Sequence, residues 1–196
     1  RSLAVEVNGT RCLTTKGVKQ ITSPSDLKGV KIRSMEAQVW QDVITALGGT
    51  PIPVSFSELY MALQTGVVNG QDNPISVTYA NKLYEVADYI YRTDHCYNTS
   101  MWLINPDAYD ALDEEDRALF DSLVEKYIHG QYRDEMGAYT EKAVADNESS
   151  GCQIIDSSEF DIQAFYDNTA QLIDEKYMTN DAYAPFIQEI RERYHY

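Results

Sequence analysis

The sequence predicts an α/β fold: a short, mostly parallel sheet flanked by helices. Three observations carry this. Between residues 30 and 68, short apolar runs alternate with helical stretches, as "VKIR", helix, "IPV", helix, "VV". Both helices stop at a glycine, Gly48 and Gly66, where a helix C-terminus favours one. The second helix opens on Ser55 and Glu58, spaced as a capping box, with Val54 and Leu59 placed as its hydrophobic staple.

Each element follows in order. "LAVEVNGTRCLTT" alternates apolar and polar residues and reads as a strand with a turn pair at Asn8-Gly9. In "SPSDLKG", Ser23 suits an N-cap, Pro24 a first helical position and Gly29 an exit, which gives one helical turn. "VKIR" is a strand ending at Arg33. Val39, Trp40, Val43, Ile44 and Leu47 then recur at helical spacing. "TPIPV" is the next strand, the helix after it runs to Thr65, and "VV" is a third strand. "NGQDNP" follows and reads in two ways: an exposed turn before a proline, or amides facing a hydrogen-bonding partner.

After Pro74 a helix is expected to about Glu85, then two strands, "DYIYRTDHCY" and "SMWLIN". Asn105-Pro106 caps a short helix. Asp113 begins a helical pattern reaching about Asn147, roughly 50 Å at 1.5 Å per residue, so it is expected to bridge two bodies or protrude. "GCQIID" is one more strand. Two helices, about 159–177 and 181–194, finish the chain.

Composition narrows function. Of 196 residues, 31 are acidic and 16 basic, a net charge of −15, which argues against a nucleic-acid partner because phosphate binding needs a basic face. The 15 tyrosines suit wet clefts, where a ring packs while its hydroxyl stays bonded. Cys12, Cys96 and Cys152 form no CxxC pair; one bridge plus a thiol and three thiols both stay open. No apolar run reaches the ~18–20 residues of a membrane span.

Catalysis finds little support. There is no GxSxG elbow and no Walker lysine loop. His95 and Cys96 are neighbours on a strand and point to opposite faces. His129 and His195 lack ligand spacing, and the acidic cluster Asp113 to Asp116 suits a helix start rather than a metal. No metal or other cofactor is expected. Binding finds more support. Arg33 ends a strand at the edge where open α/β sheets take ligands, and its planar fork suits a carboxylate. The alternative is a surface arginine paired with Glu36.

"DLKGVKIR", "ALGGTPIPVSFSELYMALQTGVVNGQDNP" and "KLYEVADYI" resemble the substrate-binding proteins of TRAP transporters, the DctP-like family. The resemblance is long, from about Val7 through Tyr127 and more loosely beyond. It implies a periplasmic-binding-protein-like, two-lobed clamshell that closes on an organic acid outside the cytoplasm and delivers it to membrane permease subunits. The ligand residues it implies are Arg33 for the carboxylate, Arg11 and Asn73 as further donors, and Phe56 as a cleft aromatic. It makes "NGQDNP" a hinge-side loop that places Asn73 beside Arg33. A ligand-sensing module with the same grip is the alternative function.

The sequence departs from the family pattern at Asn69 and Asp72, which stand where Asp and Glu are usual, and at Ser34-Met35-Glu36, a segment that shapes ligand choice. The acid, a sugar acid or a dicarboxylate, stays open. By the same resemblance, residues 1–98 form the first part of the second lobe and residues 99–130 a remnant of the first. Residues 131–196 carry the end of the long helix and the return to the second lobe. The N-terminal part of the first lobe is expected to be missing, so that a second chain, by dimerisation or swapping, completes it.

Overall fold

The computed structural model describes residues 1–18 and 20–194; His195 lies outside the described residues. In chain order the strands and helices begin with β1 (Ser2–Thr15), β2 (Lys31–Ser34), α1 (Gln38–Ala46), β3 (Thr50–Pro53), α2 (Leu59–Thr65) and β4 (Gly70–Asn73). There follow α3 (Ile75–Ala80), β5 (Tyr89–Leu103), α4 (Pro106–Asp110), α5 (Glu114–Leu123) and α6 (Tyr132–Ser149). The last are β6 (Gln153–Ile155), α7 (Ile162–Leu172) and α8 (Ala184–Tyr194). The α/β class expected from the sequence is therefore present. The chain packs as two compact units, one of Arg1–Thr14 with Asn73–Ile154, the other of Thr15–Asp72 with Ile155–Tyr196.

The second unit holds the parallel sheet. β2 pairs parallel with β3, Arg33 opposite Ile52, and parallel with β4, Arg33 opposite Gln71. Parallel neighbours need crossover connections, and α1 and α2 supply them. Ile32 and Ile44 flank the same point beside Gly49, so the even positions of β2 face α1. Ile32, Ile44, Leu47, Leu59, Leu63 and Val68 are buried and form this unit's core with Phe165 of α7. Pro24–Leu27 is the expected single turn, 3-10 in type, and Gly66 ends α2 in the left-handed conformation at φ 77°.

The strand after α2 is a correction. "VV" was the expected strand and "NGQDNP" the expected loop. Instead Gly70–Asn73 is β4, buried throughout, and Val67 and Val68 precede it. Hydrophobic patterning cannot find a strand whose buried residues are Gln71, Asp72 and Asn73.

In the first unit, β5 lies between β1 and β6. β1 and β5 run antiparallel: Arg1 and Ile104 exchange backbone bonds of 3.0 Å, and Thr10 bonds Asp94 further along. The turn expected at Asn8-Gly9 does not form. Gly9 takes φ 100°, but Asn8 Nδ2 donates to Ser100 Oγ at 2.6 Å and β1 runs straight through. The two strands expected around "DYIYRTDHCY" and "SMWLIN" are one, with a local irregularity at Asp94, φ 43°.

The long helix is present as α5, a π-helical segment Val124–Gln131, and α6, without a break. Asp113 caps it as expected, accepting from Asp116 N at 2.8 Å. Tyr132 on α6 meets Asn8 (3.3 Å) and the edge of Trp102, so those positions of β1 and β5 face the helix. His129 bonds the Leu3 carbonyl at 3.2 Å, a packing role.

Candidate functional site

Arg33 is the residue around which the second unit's site is built. It is the penultimate residue of β2, close to the rim formed by the carboxyl ends of the parallel strands, where open α/β sheets take ligands. It is 3% exposed. Its Nε donates to the Val54 carbonyl at 2.8 Å, just past the end of β3. Val54 N in turn donates to the Ser34 carbonyl at 3.3 Å. One residue thus anchors both the guanidinium and the strand end that carries it. Fixing Nε fixes the plane of the fork, and a planar fork of known direction suits a two-oxygen acceptor.

Phe56 follows in the 3-10 turn Phe56–Glu58, with its ring centroid 5.8 Å from the Arg33 guanidinium carbon. It is 44% exposed, so it offers an apolar wall beside the cation. Arg33 and Phe56 are therefore brought together.

Arg11 and Asn73 belong to the first unit, on neighbouring strands β1 and β4. Both are buried, and Arg11 Nη1 donates to Asn98 Oδ1 at 2.9 Å. Gly9 approaches Pro74 closely, 3.8 Å from the position of an added Cβ, which sets the Arg11 stretch of β1 alongside the end of β4. Sequence reasoning noted Ser34 only as part of the departing segment Ser34-Met35-Glu36. It is fully buried, and its Oγ has no hydrogen-bond partner.

Among the described residues no group of three or more His, Cys, Asp or Glu side chains could hold a metal ion. Cys12 and Cys152 are buried thiols. Burial, then the Asp94 charge and hydrogen bond, pushes Cys12 up to about 12. Burial, then the Asp88 charge, pushes Cys152 up to about 12. Neither forms a ready thiolate nucleophile at neutral pH. None of the three cysteines is in a disulfide, which resolves the pairing left open by the sequence.

Comparisons with known proteins follow the same line. Residues 1–180 match the bacterial extracellular solute-binding protein family 7, DctP. The ectoine/5-hydroxyectoine-binding periplasmic protein UehA of Ruegeria pomeroyi is 38% identical over 136 residues, 69% of this chain and 40% of that protein. The 2,3-diketo-L-gulonate-binding periplasmic protein YiaO of Escherichia coli is 31% identical over 167 residues, 84% of this chain and 49% of that protein. A TRAP periplasmic solute binding protein of Roseobacter denitrificans, solved with β-D-glucuronate, superposes with a TM-score of 0.83 at 26% identity, covering 96% of this chain and 61% of that one. The chain thus spans between two fifths and about three fifths of the length of these relatives. With the family matched over nearly the whole sequence, the chain belongs to the bacterial extracellular solute-binding proteins of family 7.

Proposed function

We propose that this chain is part of an extracytoplasmic substrate-binding protein of a TRAP-type transporter. It captures an organic acid by seating a carboxylate on Arg33, and the loaded protein delivers that acid to the membrane permease. The observation that carries the reading is the buried Arg33 held by the Val54 carbonyl at the ligand-binding rim of the sheet. A charge-assisted hydrogen bond to a carboxylate contributes roughly 1.5–3 kcal/mol net. A bidentate pair out of water contributes more, if other donors satisfy the remaining lone pairs. Phe56 supplies the apolar wall, and Arg11 and Asn73 are proposed as further ligand donors.

Relatives that bind β-D-glucuronate, D-erythronate and 2,3-diketo-L-gulonate favour a sugar acid over a dicarboxylate as the ligand class. Residues 99–130 are proposed as the remnant of a lobe completed by further polypeptide, from a longer chain or a second copy. Met101 and Leu103 on β5 leave 60% and 67% of their surface exposed, which supports this.

A thermal-shift screen of the intact protein tests the binding reading. D-Glucuronate or a related sugar acid is expected to raise the melting temperature while D-glucose leaves it unchanged. Equal stabilisation by glucose, or none by any acid, would contradict it.

A further inference from the structure

Helix α8 is fastened to the second unit along one side and leaves an apolar stripe on another. Ala184, Ile187 and Arg191, spaced three and four apart, are half-buried. Ile187, Ile190 and Arg191 line a groove of about 280 Å³ with Ala170 of α7 and Ile173 of the π-helical segment that follows it. Arg191 Nη1 donates to Asp174 Oδ1 at 2.7 Å and ties α8 to that segment. The Tyr183 carbonyl accepts the first bonds of the helix, from Phe186 N and Ile187 N at 3.1 Å, and its ring meets Tyr177 edge-on at 5.7 Å. Tyr183, Phe186, Ile190 and Tyr194 then recur three, four and four residues apart, so they share one face. All four are more than half exposed. Single exposed apolar residues are ordinary, but a continuous stripe on a fixed helix marks an interaction surface.

Charge and spacing together indicate what covers it. The protein carries −15, yet α8 holds two acidic residues, Glu189 and Glu192, and two basic ones, Arg191 and Arg193. Both arginines are paired, Arg191 with Asp174 and Arg193 with Glu189 at 2.9 Å. The helix therefore lacks the lysine- and arginine-rich polar face by which amphipathic helices bind anionic lipid. It is instead a locally neutral place, where two strongly acidic chains meet with least repulsion. The stripe is also complementary to itself. Laid antiparallel on a second copy, Phe186 falls opposite Ile190 of that copy and Tyr183 opposite Tyr194, both pairs centred within about half a residue of position 188. A two-fold interface requires this reciprocity, in which residue i meets j and j meets i.

We propose that α8 is a dimerisation helix. Two copies pair it antiparallel, and Phe186 of each packs into the groove beside Ile190 of the other. With about 150–250 Å² for each aromatic side chain, the exposed parts of the four residues amount to roughly 400 Å² per copy. The pair buries about 800 Å² in all, short of the ~1,200–2,000 Å² of a stable complex, so the dimer is weak and reversible. The surface belongs to the second unit and does not involve residues 99–130, whose completion is proposed above. It stands independently of the carboxylate reading of Arg33.

Analytical ultracentrifugation of the intact protein tests this. Wild type is expected to pass from monomer to dimer between micromolar and millimolar concentration. Phe186→Lys and Ile190→Glu are each expected to stay monomeric over that range, with melting temperatures unchanged because both positions are exposed. An equal mixture of the two variants is expected to recover dimer. Antiparallel pairing there sets the introduced lysine against the introduced glutamate and leaves one native pair of Phe186 and Ile190. Wild type that stays monomeric, a dimer that survives both substitutions, or a mixture that remains monomeric would overturn the proposal. A fall of several degrees in the melting temperature of either variant would show the stripe packed within the intact protein, and would overturn it as well.

Discussion

Arg33 Nε donates to the Val54 carbonyl at 2.8 Å, and this bond sets the direction of the guanidinium. Phe56 then borders the same cation at 5.8 Å. A cation over an exposed ring contributes about 0.5–1 kcal/mol. Phe56→Ala is therefore expected to weaken binding of a stabilising acid by about two- to fivefold, with little change in unliganded stability. Calorimetry and a melt of the same variant check both halves.

Gly48 ends the α1 region at φ 98°, and an added Cβ there would collide with the Pro24 carbonyl. Gly66 also has a positive φ, 77°, but an added Cβ meets nothing within 4 Å. Gly48→Ala is expected to cost about 3 kcal/mol and Gly66→Ala about 1–2 kcal/mol. Urea denaturation of the two variants measures the difference, which isolates the collision from the backbone strain common to both.

Asp42 on α1 is a buried carboxylate that ties α1 to the segment following α7. Lys176 reaches it at 2.5 Å, the Tyr177 hydroxyl at 2.7 Å and Gln38 at 2.9 Å. Burial alone would raise the carboxyl, but the bonds from Lys176, Tyr177 and Gln38 outweigh it and hold Asp42 below its ordinary value. A depressed carboxyl stabilises the fold fully above its unfolded value, near pH 4, and loses that contribution as pH falls through the folded value. Asp42→Asn is expected to lower stability at pH 7 by about 2 kcal/mol and to flatten the stability loss below about pH 4. Denaturation at pH 7 and pH 3 measures both.

The cysteines give a labelling prediction. Cys12 and Cys152 are buried with thiols pushed up to about 12, whereas Cys96 is only half-buried. Iodoacetamide at pH 8 is expected to modify Cys96 in the native protein and all three cysteines after unfolding. Mass spectrometry of the labelled peptides distinguishes them.

Much of this was legible in the sequence where local chemistry decides the structure. Val39 to Leu47 carry a helical period, Gly66 fits a left-handed stop, and Asn105 and Asp113 sit at helix starts whose amides they bond. Arg33 was readable as a strand-end cation. What failed was decided by partners distant in sequence. Asn8-Gly9 forms no turn because Asn8 bonds Ser100. Gln71, Asp72 and Asn73 look like a loop yet form a buried strand, since Gln71 lies opposite Arg33 in register. Ser34 was legible only as part of a departing segment, because a buried hydroxyl without a partner is visible only once its surroundings are known.

The central claim is that Arg33 seats a carboxylate through a fork fixed by Val54. Calorimetry of wild type, Arg33→Lys and Arg33→Ala against the acid that stabilises the intact protein most tests it directly. A lysine keeps the charge but not the fork. The account predicts that Arg33→Lys binds about ten- to a hundredfold more weakly than wild type and that Arg33→Ala shows no measurable binding. Affinity in Arg33→Lys within twofold of wild type would contradict it.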